Sequence, residues 1–325
     1  MNTASNQPDH RQDARATIIL AGGTGTMGLI LQMHFVKQGF RVVVLTRDPA
    51  KHQRTGVTFL PWDGRTIGDW AMELEGATVV INLAGRSVDC RYNARNKALI
   101  LDSRVDATKV LGLAIARCTV PPKLWINLST ATIYRHAEDR AMDEATGEIG
   151  SGFSIDVAQA WEKAFFDHAH ARVRQVAVRC AMVFSLHGGA FPRFTQLTRL
   201  GLGGHHGSGT QYVSWVHEAD VAAFFQWLID TPKVVGVINL AAPVPVPETE
   251  LMKALRERIK PFAYFNVPAW MLTVGAWLLR TEIELVLKSR WVVPTRALQL
   301  DYRFHHSTIG TALDDLLRKD RAQQQ

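Results

Sequence analysis

Short apolar runs alternate with longer amphipathic segments from Thr17 onward. Most of the short runs are rich in β-branched residues, and the intervals between them leave room for helices. Such spacing is typical of a parallel sheet, because parallel strands are buried on both faces and tight turns cannot join them. The pattern therefore predicts an α/β fold with a doubly wound parallel sheet. The runs are TIIL, RVVVLT, VTFL, TVVINLA, LWINLS and QVAVR.

The pattern changes after about Phe191. A glycine-rich loop from Gly201 to Gly209 precedes a helical segment, and we expect a further strand, Val235 to Leu240, to return to the main sheet. From Pro243 the chain becomes mainly helical. We therefore predict a flexible tail, a sheet domain whose later part contributes to a cleft, and a smaller, mainly helical C-terminal lobe. Their ranges are 1–15, 16–242 (with 183–215 in the cleft) and 243–325.

The composition is that of a folded globular chain: 325 residues, 47% hydrophobic and 21% charged. Three cysteines that lie far apart predict neither a disulfide framework nor a CxxC metal site, and they favour a reducing, cytoplasmic location. The polar N-terminal residues lack the apolar core of a signal peptide. Val267 to Leu279 is shorter than the ~20 residues of a bilayer span, so we expect a buried helix there. Association of that helix with a membrane surface is the alternative.

The chain is basic, with 37 Lys and Arg against 30 Asp and Glu, a net charge of +7. Basic proteins attract phosphate, but these basic residues are scattered and do not alternate with aromatic ones. We interpret the surplus as a solvated surface plus one site for an anionic ligand, and we expect no nucleic-acid partner.

The most informative segment is AGGTGTMG, which directly follows one predicted strand and precedes one predicted helix. Its glycines permit left-handed torsions, close approach of a pyrophosphate and tight packing of the helix on the strand. The helix N-terminus offers unpaired N–H groups to a phosphate. We therefore predict that 16–242 is an NAD(P)-binding Rossmann domain; a tight turn without ligand is the alternative. The predicted contacts are Gly22, Gly23, Thr24, Gly25, Thr26, Met27 and Gly28.

The second strand ends at Thr46-Arg47-Asp48, where an NAD site would place Asp or Glu on the ribose 2′-hydroxyl. Arg47 is suited to a 2′-phosphate, so we predict NADP(H) as the cofactor. Two alternatives remain: Asp48 can pair with Arg47 or with a ribose hydroxyl, and Arg47 can be an ordinary solvated charge.

Further motifs follow the third, fourth and fifth strands, and others lie later in the chain. They are Asp63, Asn82 to Gly85, Ser129 to Tyr134, Gly201 to Gly209, Ser214 to His217, Asp220, Val267-Pro268 and Val293-Pro294. Together with the glycine loop they resemble the extended short-chain dehydrogenase/reductase family. Within it, they resemble an epimerase-like branch that carries a small C-terminal domain of unknown function. The resemblance runs from about Thr17 to Leu317.

The resemblance implies further cofactor contacts. In this family the Asp after the third strand approaches the adenine, and the segment after the fourth strand lines the ribose and phosphates. A simple strand-end turn is the alternative for that segment. Arg179, at the end of the sixth strand, is predicted as a cofactor or sheet-end contact. The other implied contacts are Trp62, Asp63, Leu83, Ala84, Gly85 and Ser87.

The chemistry departs from the family pattern, which uses a Ser or Thr, a Tyr, and a Lys four residues after the Tyr. Thr130 matches the first of these. Ser154 and Ala158 stand at the Tyr and Lys positions, so the dyad is missing, as it tends to be in this branch. Tyr134, expected to face the cleft, is the second candidate catalytic residue.

Two histidines are candidates for the substrate cleft. His205 lies in the glycine-rich loop, which we expect to be mobile and to cover the nicotinamide side of the site. His217 begins a helix, a position that favours a structural role over proton transfer. We predict no metal, because no third ligand follows the pair His205-His206 at a useful spacing.

The glycine loop, Arg47 and Thr130, together with the resemblance, thus favour an NADP(H)-dependent oxidoreductase or epimerase-like enzyme acting on an unknown carbonyl, alcohol or sugar-nucleotide substrate. The missing dyad favours an alternative, a non-catalytic NADPH-binding sensor or assembly partner. The sequence does not distinguish the two, and it does not specify the oligomeric state.

Overall fold

The computed structural model of the protein describes residues 16–268, 270–272 and 287–324. The predicted tail over residues 1–15 lies outside these ranges, and so do eight of the thirteen residues of the helix predicted between Val267 and Leu279. Within the described ranges, no helix combines the length and apolar character that crossing a bilayer requires.

The strands of the described residues form three sheets. They are β1 (Thr17–Ala21), β2 (Arg41–Thr46), β3 (Val57–Pro61), β4 (Val79–Asn82), β5 (Leu124–Thr130), β6 (Arg174–Cys180), β7 (Met182–Ser185), β8 (Gly188–Gly189), β9 (Tyr212–Val213), β10 (Trp215–His217), β11 (Gly236–Leu240) and β12 (Val246–Pro247). The large sheet has the order β3-β2-β1-β4-β5-β6-β11, with every neighbouring pair parallel. This confirms the doubly wound sheet and the return of the late strand to it.

The helices of the described residues cover the sheet and build the second lobe. They are α1 (Thr26–Lys37), α2 (Ala94–Ile115), α3 (Phe153–Phe166), α4 (Phe191–Arg199), α5 (Glu218–Asp230), α6 (Glu248–Ile259), α7 (Thr295–Gln299) and α8 (Ile309–Gln324). Short 3₁₀ turns occur at Pro49–Lys51, Asp69–Leu74 and Ala131–Ile133.

Both faces of the large sheet are buried, because successive side chains of a strand point to opposite faces. Ile18 of β1 packs in a core that includes residues of α1 and α5, whereas Ile19 packs in a second core with residues of α2 and α3. The continuous apolar character of the strands follows from this two-sided burial.

A third core joins the middle of the chain to its C-terminal part. Phe184 of β7, Phe191 of α4 and Trp215 of β10 pack with apolar residues of α6 and α8. The small sheets β10-β7-β8 and β12-β9 belong to this region. The segment 183–215 therefore shares its core with the C-terminal lobe and lies beside the carboxyl end of β6, which directly precedes it.

Candidate functional site

The order of the large sheet reverses between β1 and β4, and ligands of such sheets bind in the crevice at this point. Two glycines of the first loop are required by packing alone. A Cβ on Gly22, whose φ is +73°, would lie 2.7 Å from the Cα of Ala84. A Cβ on Gly28 would lie 1.9 Å from the carbonyl oxygen of Gly23. The loop is therefore held tightly against both β4 and α1.

Gly25, by contrast, borders open space: a Cβ there would meet no atom within 4 Å. It is the N-cap of α1, no side chain caps the helix, and the first turn carries no acidic residue. The N–H groups and positive end of α1 therefore remain available to an anion, and the open cradle fits the pyrophosphate of a dinucleotide.

The turn between β7 and β8 closes one side of this cradle. The hydroxyl of Thr26 lies 3.5 Å from the carbonyl oxygen of His187. A Cβ on Gly188 would lie 2.7 Å from the same hydroxyl oxygen. Residues that follow β6 therefore contact the start of α1, although more than 150 positions separate them.

Arg47 lies exposed just beyond the end of β2. Asp48 pairs instead with Lys51, at 3.2 Å, so the alternative in which Asp48 neutralises Arg47 is not what the structure shows. Arg47 makes no ion pair within the described part of the chain. Its charge is available to a ligand at the β2 end of the crevice.

Asp63 organises its own turn after β3. Its carboxylate accepts hydrogen bonds from the backbone N–H groups of Arg65 and Thr66 and from the Thr66 hydroxyl, at 2.8–2.9 Å. The bonds from Thr66 and Arg65 hold the pKa of Asp63 below its usual range. Trp62 is buried and packs edge-on against Trp70. Both predicted contacts thus have a clear role in shaping the turn.

The segment after β4 is shaped by the buried amide of Asn82. This side chain donates to Thr108 and Asn127 and accepts the backbone N–H of Ala84. Leu83 packs against the core, and Gly85 is exposed at the crevice. The Ser87 hydroxyl accepts the N–H of Asp89 and so caps the next turn.

Sequence reasoning missed Arg104, which reaches this segment from α2. A Cβ on Gly85 would lie 3.0 Å from the Cζ of Arg104. The guanidinium also lies over the ring of Trp161 on α3, 5.1 Å from its centroid. A signal was present: Arg104 interrupts the apolar stripe formed by Ile100, Ala107 and Leu111, all of them buried.

Thr130, at the end of β5, lies opposite Cys180 in the register with β6. Its hydroxyl oxygen accepts the backbone N–H of Thr132, at 3.1 Å. Burial raises the pKa of Cys180 to about 12, so its thiol is neutral at physiological pH. At the Lys position, the methyl group of Ala158 is buried in a core cluster that contains Ile133.

Tyr134 does not face the cleft as predicted. It is 1% exposed, and its hydroxyl donates to Asn239 and accepts from Arg179, both at 3.0 Å. Burial raises the pKa of Tyr134, which removes it further from proton exchange near neutral pH. The reason is tertiary: the ring is covered by Arg179, whose guanidinium lies 5.0 Å from its centroid.

Arg179 is a sheet-end contact. It forms an ion pair with Glu162 of α3, and Ser129 donates to the same carboxylate at 2.6 Å. Burial by itself lowers the pKa of Arg179, but the hydrogen bonds and charge of Glu162 outweigh it, so the net shift is upward. This side chain is therefore occupied within the protein.

His217 is fully buried and does not line a cleft, so the prediction of a cleft residue is wrong. Its Nδ1 accepts the N–H of Ala219 and caps α5, while Nε2 lies 3.2 Å from a carboxylate oxygen of Asp315 on α8. Burial, aided by neighbouring His306, lowers the pKa of His217 to about 3. The residue fastens α8 to the start of α5.

His217, His306 and Asp315 form a cluster whose ligand atoms all lie within 4.8 Å of one another. A neutral imidazole whose Nδ1 accepts a backbone N–H carries its proton on Nε2, and a protonated nitrogen cannot bind a metal. The arrangement is therefore that of a clamp, in which Nδ1 caps α5 and Nε2 faces the Asp315 carboxylate of α8.

His205 is partly exposed in a loop that is tied to the C-terminal lobe. Two-way backbone hydrogen bonds join this loop to residues 265–267, and the backbone of His205 itself accepts from Val267. These bonds argue against the mobile loop that we expected. The next residue, His206, is buried with its Nδ1 2.7 Å from the Glu248 carboxylate, a contact that sequence reasoning missed.

Two basic residues of the C-terminal lobe reach the turn after Thr130. Lys288 donates to the carbonyl oxygen of Thr132 at 3.0 Å, and Arg290 donates to the Thr132 hydroxyl at 3.2 Å. Ser289, between them, donates to the carbonyl of Ala137 and fixes residues 288–290 in place. The turn after Thr130 is thus held by residues of the C-terminal part of the chain.

Comparison with known proteins agrees with this geometry. The chain matches the model of the NAD dependent epimerase/dehydratase family over residues 18–241 and a domain of unknown function, DUF1731, over residues 267–316. It is 29% identical to the epimerase family protein SDR39U1 of Bos taurus over 309 residues, which cover 92% of this chain and 99% of that protein. It is 27% identical to the epimerase family protein YfhF of Bacillus subtilis over 303 residues, covering 92% and 97%.

Solved structures with the same fold include two relatives of this kind. The human epimerase family protein SDR39U1, solved with NADPH, superposes with a TM-score of 0.81 at 26% identity, covering 92% of this chain and 98% of the other. A nucleoside-diphosphate sugar epimerase from Corynebacterium glutamicum superposes with a TM-score of 0.75 at 28% identity, covering 96% and 61%. Since the family model spans more than half of its length, the chain belongs to the NAD dependent epimerase/dehydratase family.

Proposed function

We propose that the protein binds NADP(H) in the crevice between β1 and β4 and uses it in an oxidoreductase or epimerase reaction. The observation that carries the proposal is the uncapped N-terminus of α1 beside the open face of Gly25. An anion at this position satisfies N–H groups that the protein leaves unpaired. The human relative solved with NADPH supports the same assignment.

The preference for NADP(H) over NAD(H) rests on Arg47. It is exposed at the end of β2, where the ribose 2′ substituent of a dinucleotide is recognised, and Asp48 is engaged with Lys51. A guanidinium there favours a 2′-phosphate through charge-assisted hydrogen bonds.

The nicotinamide of the bound cofactor supplies or accepts a hydride. At the end of β5, Thr130 uses its oxygen to accept the N–H of Thr132, and within the described residues its hydroxyl hydrogen has no acceptor. Thr130 can therefore donate a hydrogen bond that orients a substrate carbonyl or alcohol oxygen. It cannot replace the missing Tyr as an acid, because an aliphatic hydroxyl does not ionise near pH 7.

Lys288 and Arg290 hold the turn that follows β5. Both donate to Thr132, two residues beyond Thr130, so they fix the backbone beside the end of β5. The substrate class that we propose is the one that membership of the family favours, a carbonyl, alcohol or sugar-nucleotide compound.

A non-catalytic NADPH-binding role is the second candidate. Its support is the lack of a proton donor at the site: Ala158, at the Lys position, is packed in a core cluster, and the phenol of Tyr134 is held by Arg179 and Asn239. A protein that binds the cofactor tightly without a proton donor can report the NADPH level or hold a partner.

Turnover with deuterium-labelled NADPH separates the two candidates. A panel of carbonyl compounds and sugar nucleotides would be incubated with the protein and labelled NADPH, and deuterium in the product would be measured by mass spectrometry. Because an epimerase takes the hydride from its substrate and returns it, the same panel would be incubated with NADP⁺, and inversion of the substrate carbon would be measured by nuclear magnetic resonance. Deuterium transfer or inversion that Thr130→Ala reduces at least tenfold supports the enzyme. A thermal shift with NADPH but neither transfer nor inversion supports the binding role, and absence of NADPH binding overturns both.

A further inference from the structure

Arg104 is a half-buried cation, and among the described residues it has no carboxylate partner. Its Nη1 donates to the carbonyl oxygens of Arg86 and Ile100, at 3.1 and 3.0 Å. Within the described residues it makes no ion pair, and its Nε and Nη2 have no acceptor. Burial lowers the pKa of Arg104 to about 10, yet it remains charged at neutral pH.

A desolvated charge of this kind lowers stability, since the loss of hydration is not offset by an ion pair. Buried arginines are therefore usually paired, and an unpaired one beside a crevice indicates a ligand-binding position. The two carbonyl acceptors and the ring of Trp161 satisfy only part of the guanidinium. The remaining N–H groups are suited to an anion.

The position of Arg104 in the crevice indicates which half of the cofactor it contacts. Its guanidinium borders Gly85, which is exposed at the carboxyl end of β4. The strands β1 to β3 form the adenosine half of a Rossmann sheet, and the strands from β4 onward form the second mononucleotide half. The sheet order thus places Arg104 with the nicotinamide half of the crevice and Arg47 with the adenosine half.

Arg104 also lies next to α3, the helix that lacks the Lys of the parent family. Its guanidinium packs on Trp161, three residues and almost one turn beyond Ala158. A cation supplied from α2 therefore stands close to the place where the cation of α3 is missing. Because a guanidinium stays protonated, it supplies charge and hydrogen bonds there but no proton.

We infer that Arg104 binds the nicotinamide mononucleotide half of the cofactor, an inference that rests on the proposed NADP(H) site. Its guanidinium donates hydrogen bonds to phosphate or ribose oxygens beside Gly85. It compensates in part for the cation lost at Ala158. The ligand in turn supplies the negative charge that the guanidinium lacks in the free protein.

Fragments of the cofactor test whether Arg104 binds the nicotinamide half and not the adenosine half. The dissociation constants of NADPH, reduced nicotinamide mononucleotide and adenosine 2′,5′-bisphosphate would be measured by calorimetry for the wild type and for Arg104→Met. Methionine keeps an apolar stem against Trp161 and removes the charge. We expect the Kd of NADPH and of the mononucleotide to rise roughly 10- to 100-fold, as for the loss of charged hydrogen bonds. The affinity for the bisphosphate should stay within twofold of the wild type.

Three comparisons make the result decisive. Lys109→Met removes an exposed charge from the same helix and should leave all three affinities unchanged. Arg104→Lys keeps the charge but not the planar fork, so it should weaken NADPH less than Met does, and it replaces the Met variant if that fails to fold. The melting temperature of the free protein should not fall in Arg104→Met, because the charge removed is partly desolvated and has no ion-pair partner among the described residues.

Unchanged NADPH affinity in Arg104→Met, or in Arg104→Lys and Arg104→Gln if Met does not fold, would overturn the inference. An equal loss for the bisphosphate would also overturn it, because that pattern indicates a general disturbance of the site. If the wild type binds neither NADPH nor the bisphosphate, the proposed function itself fails.

Discussion

Arg179 and Glu162 form a two-pronged ion pair between β6 and α3, with N–O distances of 2.7 and 2.9 Å. Their side chains are only 11% and 10% exposed. Ser129, near the end of β5, donates to the same carboxylate, so the ion pair lies against this end of the strand. Arg179 also donates a hydrogen bond to the Tyr134 hydroxyl, which in turn donates to Asn239 of β11. The amide of Asn239 donates to the carbonyl oxygen of Val293 in the C-terminal lobe. The candidate catalytic edge therefore rests on a polar network that spans both lobes.

Breaking this ion pair should destabilise the protein strongly. We expect Glu162→Ala to lower the free energy of unfolding by about 3–5 kcal/mol, since it leaves the Arg179 charge buried and unpaired. The double variant Glu162→Met with Arg179→Met should recover much of the loss. Lys163→Ala, which breaks an exposed pair with Asp167, should cost less than about 1 kcal/mol. Urea unfolding measures all three, and equal stability of Glu162→Ala and Lys163→Ala would contradict the prediction.

Tyr134→Phe should separate a structural tyrosine from a catalytic one. The variant keeps the buried ring but loses hydrogen bonds to Arg179 and Asn239, so we expect a loss of about 1–3 kcal/mol in unfolding free energy. NADPH affinity should stay within twofold, because the hydroxyl is enclosed by protein. Calorimetric titration and urea unfolding test the pair of outcomes. A large loss of affinity at unchanged stability would show that the phenol reaches the cofactor.

The sequence predicted those features that depend on short-range pattern. Strand-length apolar runs predicted the sheet. The glycines at positions 22 and 28 indicated close backbone contacts, and the structure shows that these leave no room for a Cβ. Thr130 was singled out because it matches the Ser or Thr of the family pattern, and its catalytic role stays a prediction. Each of these signals is contained in about ten consecutive residues.

The contacts that the sequence did not reveal join distant positions. Tyr134 and Asn239 are 105 residues apart, and Ser289 and Ala137 are 152 residues apart. The helical pattern of α2 shows that Arg104 lies on the apolar face, but only the packing of α2 on α3 brings it to Trp161. Burial of Tyr134 likewise depends on Arg179 and Asn239 of later strands, and the position of His217 depends on Asp315 of α8.

Arg47→Ala should reduce cofactor discrimination. We expect the Kd of NADPH to rise about 10- to 100-fold, because the contact to a 2′-phosphate is charge-assisted, while the Kd of NADH changes less than twofold. Fluorescence titration with the two cofactors gives the ratio. Arg54→Ala, which removes another charge near β3, is the matched control. An NADPH/NADH preference that Arg47→Ala leaves intact would exclude Arg47 from the 2′-phosphate site.

The clamp at His217 should make the protein less stable in mild acid. Burial lowers the pKa of His217 from 6.5 to about 3, so between these values the unfolded chain binds a proton that the folded chain does not. Stability is therefore fully present above pH 6.5 and is lost as the pH falls, by at most about 1.4 kcal/mol per pH unit. His217→Asn keeps a residue that can cap α5 and should flatten this dependence. Urea unfolding from pH 7.5 to 4.5 would show equal slopes if His217 were not responsible.

Two alanine substitutions in the first loop should separate packing from ligand binding. A Cβ at position 28 would stand 1.9 Å from the backbone of Gly23, so we expect Gly28→Ala to displace α1 and to lower the melting temperature by several degrees or more. Gly25 has an ordinary φ of −85° and open space around its Cα. Gly25→Ala should therefore leave the melting temperature of the free protein nearly unchanged. The same methyl group would occupy the space that a pyrophosphate needs at the start of α1, so the thermal shift on adding NADPH should largely disappear. An undiminished shift in a stable Gly25→Ala variant would mean that the open face of this loop is not where the phosphates bind.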